Sequence, residues 1–591
     1  MADSPNLVAL FYRKAAEKGD APFLWRKQDG NWISLSWTEA ARQVSALASA
    51  LVALGIEPGD RVALVAESRP EWPLADLAIM AVHGISVPAY ITNSVADHHH
   101  ILSDSGAKAV FVSSAALAKR VLPAARQAGS VGFAIAIEPV EPGDSGLAIH
   151  LWDDLLQAHG DDTAPDFDAI EGGETACLIY TSGTGGVPKG VMLSHAAILC
   201  NCRGATEILR PLGLGDEIFL SFLPLSHSYE HTGGLFFPIM IGAQIYYAEG
   251  IDKLAQNMVE VKPTIMAAVP RLYESMHDRI RRGIRQAGGK SEKLFEKTVA
   301  LGRKRYEAPE SLTIADRLVD TVLDLLVRRK VQARFGGRLK ALVSGGAPLN
   351  YEIGSFFTAL GVRLLQGYGQ TESAPVVSCN PPWRNKIDTV GIPLEGVEVR
   401  IADDGEILVR GDLVMQGYWG RPDETAETIV DGWLHTGDIG EFDADGHLKI
   451  TDRKKDIIVN SGGDNISPQR VEGMLNAQLE VGQSMVYGDK RPHLVALIVP
   501  DENFATAWAK ENGRKDTSAA VLTEDADFRK AIAAAIDRVN SDLSVIERIR
   551  RFTMVAEPFT IDNEMMTPTL KIRRHVINQQ YGKRLEKLYG G

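Results

Sequence analysis

The apolar run Ala176-Cys177-Leu178-Ile179-Tyr180 leads directly into Thr181-Ser182-Gly183-Thr184-Gly185-Gly186-Val187-Pro188-Lys189-Gly190. The run reads as a buried strand. Residues 181–190 form a loop suited to an anion. Glycines at 183, 185, 186 and 190 let the backbone approach closely and turn successive N–H groups inward, while Ser182, Thr184 and Lys189 add hydroxyls and a positive charge. A Walker A loop is excluded, because it needs four residues between its glycines and then Gly-Lys-Ser/Thr, whereas Lys189 follows Pro188 and precedes Gly190. Taken alone, the segment also reads as a glycine-rich turn without a ligand.

Around this strand the chain alternates helix and strand patterns, the signature of a parallel sheet wrapped by crossover helices. Ser36-Trp37-Thr38-Glu39 fits a capping box, Val44, Leu47, Leu51 and Leu54 share one helical face, and Gly55 ends that helix. Arg61–Ala66 reads as a strand, Glu71–Val82 as a helix and Ala109–Val112 as another strand. At 591 residues the chain exceeds what one hydrophobic core supports, so several domains are expected.

Composition narrows the function classes. With 45% hydrophobic and 24% charged residues the chain is of ordinary globular type, and a net charge of -13 argues against a nucleic-acid partner. Met1-Ala2-Asp3-Ser4-Pro5-Asn6 lacks the basic and apolar regions of a signal peptide, and the longest apolar stretch, residues 235–248, is too short to span a bilayer. The four cysteines, Cys177, Cys200, Cys202 and Cys379, read as reduced core thiols, which points to a cytoplasmic location. The triplet His98-His99-His100 reads as a polar helix segment, because neighbouring helical residues point apart and cannot converge on one metal ion.

Five further segments come after the loop in order: Ser344-Gly345-Gly346-Ala347-Pro348, Gly367-Tyr368-Gly369-Gln370-Thr371-Glu372, Trp433-Leu434-His435-Thr436-Gly437-Asp438, Thr451-Asp452-Arg453-Lys454-Lys455-Asp456 and Pro568-Thr569-Leu570-Lys571. Together the six resemble the motif set of the adenylate-forming (AMP-binding) superfamily, from about residue 20 to about residue 580. The resemblance implies a large N-terminal domain of βα subdomains with parallel sheets, residues 1–452, and a small mobile α+β C-terminal domain, residues 453–591, hinged at Lys455.

It also implies the chemistry. An acyl carboxylate attacks the α-phosphate of ATP and pyrophosphate leaves, so positioning and charge stabilisation dominate. By resemblance, Thr181, Ser182, Gly183, Thr184, Gly186 and Lys189 hold the β- and γ-phosphates, and Gly185 stands where relatives commonly carry a second threonine. Tyr368 stacks on adenine, Gly345, Gly346 and Ala347 line the base, Thr371 contacts the α-phosphate and Glu372 binds Mg2+. Asp438 takes the ribose hydroxyls, and Arg453 reaches the sugar or the phosphate. Lys571 carries the adenylation step, with Leu570 in a position where many relatives have glycine. Rotation about Lys455 then withdraws Lys571 and brings in residues 460–465, where Gly462 and Gly463 admit the pantetheine arm of CoA. Residues 223–230 resemble the acyl-site segment, with His227 at the carboxylate end and Tyr229 and Glu230 near the neck of the pocket.

Residues 279–334 carry fifteen Lys/Arg against seven Asp/Glu in an otherwise acidic chain and read largely as helix. They fit either a solvated insertion or a surface drawn to anionic membrane lipids, with Leu318, Val322, Leu325 and Leu326 on one side. Such an insertion resembles long-chain acyl-CoA synthetases, which implies an acid-thiol ligase using fatty acid, ATP and CoA, cytoplasmic or peripheral on the inner membrane face. A fatty acyl-AMP ligase serving a protein acceptor and a non-catalytic acyl or nucleotide sensor stay open as alternatives, and nothing in the sequence selects an oligomeric state.

Overall fold

Ser36 opens the helix Trp37–Ala53, its hydroxyl accepting from the backbone N–H of Glu39 at 3.2 Å. Only this half of the expected capping box forms, because the Glu39 carboxylate pairs with Arg42 at 2.6 Å and Gln43 at 2.8 Å instead. Val44, Leu47 and Leu51 are buried, and Gly55 leaves the helix at φ 89°, a conformation costly for any residue with a Cβ. The computed structural model describes residues 4–590 except 142, 161, 164, 182–186, 455, 463 and 568–571, and the side chains of 144 and 465 are not described.

The expected strands join one eight-stranded sheet, ordered Gly417–Tyr418, Lys189–Ser194, Thr175–Thr181, Ile85–Pro88, Arg61–Val65, Ala109–Val112, Phe133–Ala136, Ala148–Leu151. From Thr175–Thr181 onward the pairing is parallel. Ile85–Pro88 and Ala109–Val112 are buried throughout, as parallel strands between helical layers must be. A nine-stranded sheet has a parallel centre made of Leu364–Gly369, Ala341–Ser344, Ile265–Ala268, Ile218–Ser221, Gln244–Tyr247 and Pro22–Gln28. One apolar core holds the two sheets together: Trp72 and Leu74, on the helix Glu71–Ala81 that connects strands of the first, share it with Leu235 and Phe236 of the helical segment His231–Phe236 and with Phe219 and Ile245 of the second.

A third, antiparallel sheet contains Glu398–Ile401, Glu406–Arg410, Trp433–Phe442, Ile429–Val430 and Leu448–Arg453. The strand Leu448–Arg453 ends with Arg453 opposite Asp438. Beyond it, Val481–Tyr487, Leu494–Pro500 and Ile549–Met554 form a small mixed sheet with its own core, including Val471, Leu475, Phe528 and Ile532. Arg574 spans both oxygens of buried Glu472 at 2.7 and 2.5 Å and ties the last helix, Arg574–Glu586, to this unit. The fold is therefore mixed α/β: a large N-terminal part with parallel sheets and a smaller C-terminal α+β part.

Residues 270–334 are largely helical, as Pro270–Ala287, Gly289–Glu307, a 3-10 turn at Pro309–Ser311, Ile314–Leu323, a π-helical segment at Asp324–Arg328, and Arg329–Arg334. Fully buried Arg328 clamps this layer, reaching Asp320 at 2.6 Å and the Ala359 carbonyl at 2.7 Å.

Candidate active site

Thr175–Thr181 returns antiparallel as Lys189–Ser194, with Thr181 opposite Lys189. The glycine-rich segment is therefore a hairpin connection, in contrast to the strand-to-helix turn of a Walker loop. Ser182, Gly183, Thr184 and Gly186 lie outside the described residues, while Thr181 and Lys189 close the base of the hairpin. The helix Val95–Ser105 braces that base. His100 Nε2 lies 2.8 Å from the Pro188 carbonyl, which can only accept, so Nε2 carries the proton; the Tyr180 hydroxyl donates to Asp104 at 2.8 Å. His98 of the same triplet is buried, and burial pushes its imidazole down to about 4, which keeps it neutral. His98 thus turns into the core, while His100 holds the loop.

Lys189 pairs with Glu424 and stands 4.8 Å from the centre of the Tyr418 ring. The Tyr418 hydroxyl donates to Glu372 Oε1 at 2.9 Å, and burial together with the nearby Glu372 charge holds that phenol above its usual range. Thr371, beside Glu372, has its hydroxyl 3.1 Å from that of Ser228 in the expected acyl segment. Lys189, Glu372 and the expected acyl segment therefore share one neighbourhood.

At the expected nucleoside end, Tyr368 donates to Asp438 Oδ2 at 2.7 Å and Arg453 Nε donates to Asp438 Oδ1 at 2.9 Å. Asp438 is nearly buried, and each of its oxygens retains a further lone pair. Tyr368 is pushed well above the ordinary phenol range by burial and then by the Asp438 carboxylate, so it remains a donor. Gly346 adopts φ 82°, and a Cβ on Gly345 would meet the Tyr229 ring at 3.1 Å. This brings the loop of Gly345, Gly346 and Ala347, expected at the base, against the expected acyl segment.

His227 caps the short helix Ser228–Glu230, its Nδ1 accepting from the Tyr229 N–H at 3.1 Å. Neutral His227 therefore carries its proton on Nε2. Tyr229 donates to the Val343 carbonyl at 2.9 Å, and Glu230 is buried with Ser221 donating to it at 2.6 Å. Burial pushes Glu230 up to about 8, with Ser221 opposing, so its carboxyl is mostly neutral at pH 7. Behind it, His231 Nε2 and Asp76 form a fully buried pair at 2.9 Å.

Gly462 lies on the hairpin between Ile458–Val459 and Asn465–Ile466, its N–H donating to Asn460 Oδ1 at 2.8 Å. Lys455 and Lys571 lie outside the described residues, but Met566, shortly before Lys571, lines a cavity of about 650 Å3. Arg120 and Arg271 line the same cavity from the large part.

Tyr368, Asp438 and Arg453 are thus joined, as are Lys189 and Glu372 through Tyr418; Gly462 sits apart on its own hairpin. Sequence reasoning missed His100, Asp104, Tyr418 and Glu424. The one available signal was the Gly417-Tyr418-Trp419 run beside an acidic helix, and no periodicity distinguishes it from an ordinary edge strand. Among the described residues no group of three His, Cys, Asp or Glu side chains could hold a metal ion, and no helix is long and apolar enough to cross a membrane.

Comparison with known proteins adds an independent line. The model of the AMP-binding enzyme family matches residues 11–419, and that of the AMP-binding enzyme C-terminal domain matches residues 455–591. The chain is 33% identical to the long-chain-fatty-acid--CoA ligase FadD15 of Mycobacterium bovis, over 100% of this chain and 98% of the relative. It is 31% identical to the peroxisomal long chain acyl-CoA synthetase 6 of Arabidopsis thaliana, over 95% and 82%. Among solved structures, the A domain of a carboxylic acid reductase from Segniliparus rugosus, in complex with AMP and a co-purified carboxylic acid, superposes with a TM-score of 0.78 at 20% identity, over 99% of this chain and 94% of that one. With its large and small parts each matched by their own model and a relative aligned from end to end, the chain belongs to the AMP-binding enzyme family.

Proposed function

We propose that the protein is an ATP-dependent, AMP-forming acyl-CoA synthetase that activates medium- to long-chain fatty acids. The observation that carries this reading is the contact between Thr371 and Ser228, which joins the nucleotide motif to the acyl segment. The fatty-acid class is supported by the names of relatives aligned over nearly the whole chain.

In the first half-reaction a carboxylate oxygen attacks the α-phosphorus, the bond to the bridging oxygen breaks and pyrophosphate leaves. Asp438, already joined to Tyr368 and Arg453, takes the ribose hydroxyls, Tyr368 stacks on the adenine beside Gly345, Gly346 and Ala347, and His227 lines the carboxylate end of the acyl site. Thr181, Ser182, Gly183, Thr184, Gly186 and Lys189 receive the outer phosphates, and Lys571 offsets the charge that grows as the two anions meet. Glu372 fits Mg2+: it is a half-buried carboxylate with one oxygen taken by Tyr418, and magnesium typically uses one or two carboxylates with phosphate oxygens and water. Bound there, the ion supplies charge neutralisation and alignment of the phosphates.

In the second half-reaction the CoA thiolate attacks the acyl carbonyl, the C–S bond forms and AMP leaves, the thiol proton passing to solvent. Rotation of the C-terminal part about Lys455 exchanges Lys571 for the hairpin of Gly462 and admits the pantetheine arm. The enzyme works in a reducing compartment, where its four buried free cysteines stay reduced, and touches anionic membrane through 279–334. The test is AMP and thioester formation over carboxylates of increasing length, with and without CoA. The reading requires ATP cleavage to AMP with a preference for medium or long chains, and thioester only when CoA is present. Acyl-AMP that never proceeds to thioester would favour a ligase serving a protein acceptor, and no AMP with any acid would leave a sensor.

A further inference from the structure

The segment 415–428 touches both the phosphate-loop strand and the acidic motif, although it belongs to neither. Met415 N–H donates to the Glu372 carbonyl at 2.9 Å, Gln416 N–H to the Met192 carbonyl at 2.9 Å, and Trp419 N–H to the Gly190 carbonyl at 2.8 Å. These bonds fix Tyr418 opposite Val191, two residues beyond Lys189. The turn behind it is equally constrained: Tyr418 N–H donates to Thr425 Oγ1 at 2.9 Å, and Thr425 Oγ1 donates to the Arg421 carbonyl at 2.8 Å. Gly417 has φ 142°, and a Cβ there would meet Thr425 Cγ2 at 2.6 Å. The Tyr418 ring is therefore delivered to one place by backbone bonds on both sides.

At that place it makes two different contacts. Its hydroxyl donates to Glu372 Oε1 at 2.9 Å, and its π-face meets the Lys189 ammonium at 4.8 Å. A carboxylate with one oxygen tied by a donor keeps its other oxygen for a cation and loses rotational freedom, and an ammonium over a ring is held without being neutralised. Lys189 is nevertheless neutralised, by Glu424 from the helix Pro422–Thr428. That ion pair is about one-third exposed on both sides, and the nucleotide's outer phosphates compete for the same ammonium.

We propose that Tyr418 is a positioning residue for adenylation, holding Glu372 and Lys189 at a fixed separation through one ring, while Glu424 occupies Lys189 until the phosphates of the nucleotide displace it. The proposal rests on the functional reading above and adds to it the group that couples the cation-binding carboxylate to the phosphate-binding lysine.

The experiment is calorimetric titration of the full chain with ATP, with and without Mg2+, for the parent, Tyr418→Phe and Glu424→Gln, with Tm and steady-state AMP formation measured alongside. Phenylalanine keeps the ring under Lys189 and removes only the hydroxyl. Tyr418→Phe should bind Mg2+-free ATP within about twofold of the parent yet lose about fivefold or more of the Mg2+-dependent gain, with KM for the magnesium complex rising more than kcat falls. Glu424→Gln should tighten Mg2+-free ATP about twofold to fivefold, the range an exposed ion pair supplies. An unchanged magnesium gain in Tyr418→Phe, equal loss with and without Mg2+ together with a lowered Tm, or weaker ATP binding by Glu424→Gln would overturn the proposal. A parent chain that binds no ATP would instead remove the functional reading, and this inference with it.

Discussion

Glu230 shows how far one side chain can depart from what its position in a motif suggests. It is buried against Ser221, and a Cβ on Gly234 would collide with its carboxyl, so only glycine leaves room for it. Its carboxyl is raised from the ordinary 4.5 to about 8 by burial. The folded protein therefore holds a proton that the unfolded chain releases between those values. Stability from this group is fully present below about pH 4.5 and is lost as pH rises to about 8; at about 1.4 kcal/mol per unit the loss is on the order of a few kcal/mol. Glu230→Gln, neutral at every pH, should flatten that decline and leave the variant more stable than the parent at pH 8. Denaturant titrations from pH 5 to pH 8.5 check this, and parallel curves for parent and variant would refute it. The sequence placed Glu230 in the right segment but could not indicate its protonation, which depends on Ser221 and Gly234 closing around it. The same limit applies to Asp438: the Leu-His-Thr-Gly-Asp run marked it, but Tyr368 and Arg453 meet it only when separate strands come together.

At the scale of elements, the helical layer 314–334 turns five of its apolar residues outward. Ile314 is 82% exposed and Leu318 67%, and Val322, Leu325 and Leu326 are also exposed. The π-turn at Asp324–Arg328 shifts the register there, as Leu323 and Val327 pack inward with Arg328. Exposed Arg317, Arg329, Lys330 and Arg334 accompany the stripe, and the Arg328–Asp320 pair clamps it to the body of the protein. An apolar stripe with basic neighbours on an acidic chain matches the headgroup and acyl boundary of an anionic bilayer. Binding to phosphatidylglycerol vesicles should weaken as salt rises, since charges are screened within about 8 Å at physiological ionic strength. Leu318→Glu should weaken it about tenfold, the worth of one apolar side chain transferred from water, without changing AMP formation from a short soluble acid. If the parent ignores such vesicles at low salt, or Leu318→Glu binds them as the parent does, the stripe has another role. The apolar side of this layer was legible from spacing and charge; the π-turn that extends it was not, because no local residue preference announces a five-residue hydrogen-bond step.

Across the whole molecule, the sequence carried the α/β class through its alternating patterns, and the ordered motifs carried the family. It did not carry the hairpin nature of the glycine-rich segment or the coupling of that segment to Glu372 through Tyr418. Both are long-range pairings: Tyr418 meets Val191 and Lys189 across more than two hundred residues of chain, and only the assembled eight-stranded sheet brings them together. The large part thereby brings the motifs proposed for phosphate, nucleoside and acyl group close together, which suits a reaction whose barrier is lowered by positioning. The most direct measurement of that account is isotope transfer. A long-chain fatty acid labelled with heavy oxygen in both carboxylate positions is turned over with unlabelled ATP and CoA, and the products are read by mass spectrometry. Attack by the carboxylate on the α-phosphorus predicts AMP carrying one labelled oxygen and a thioester retaining the other. Unlabelled AMP, or ADP as the nucleotide product, would contradict it.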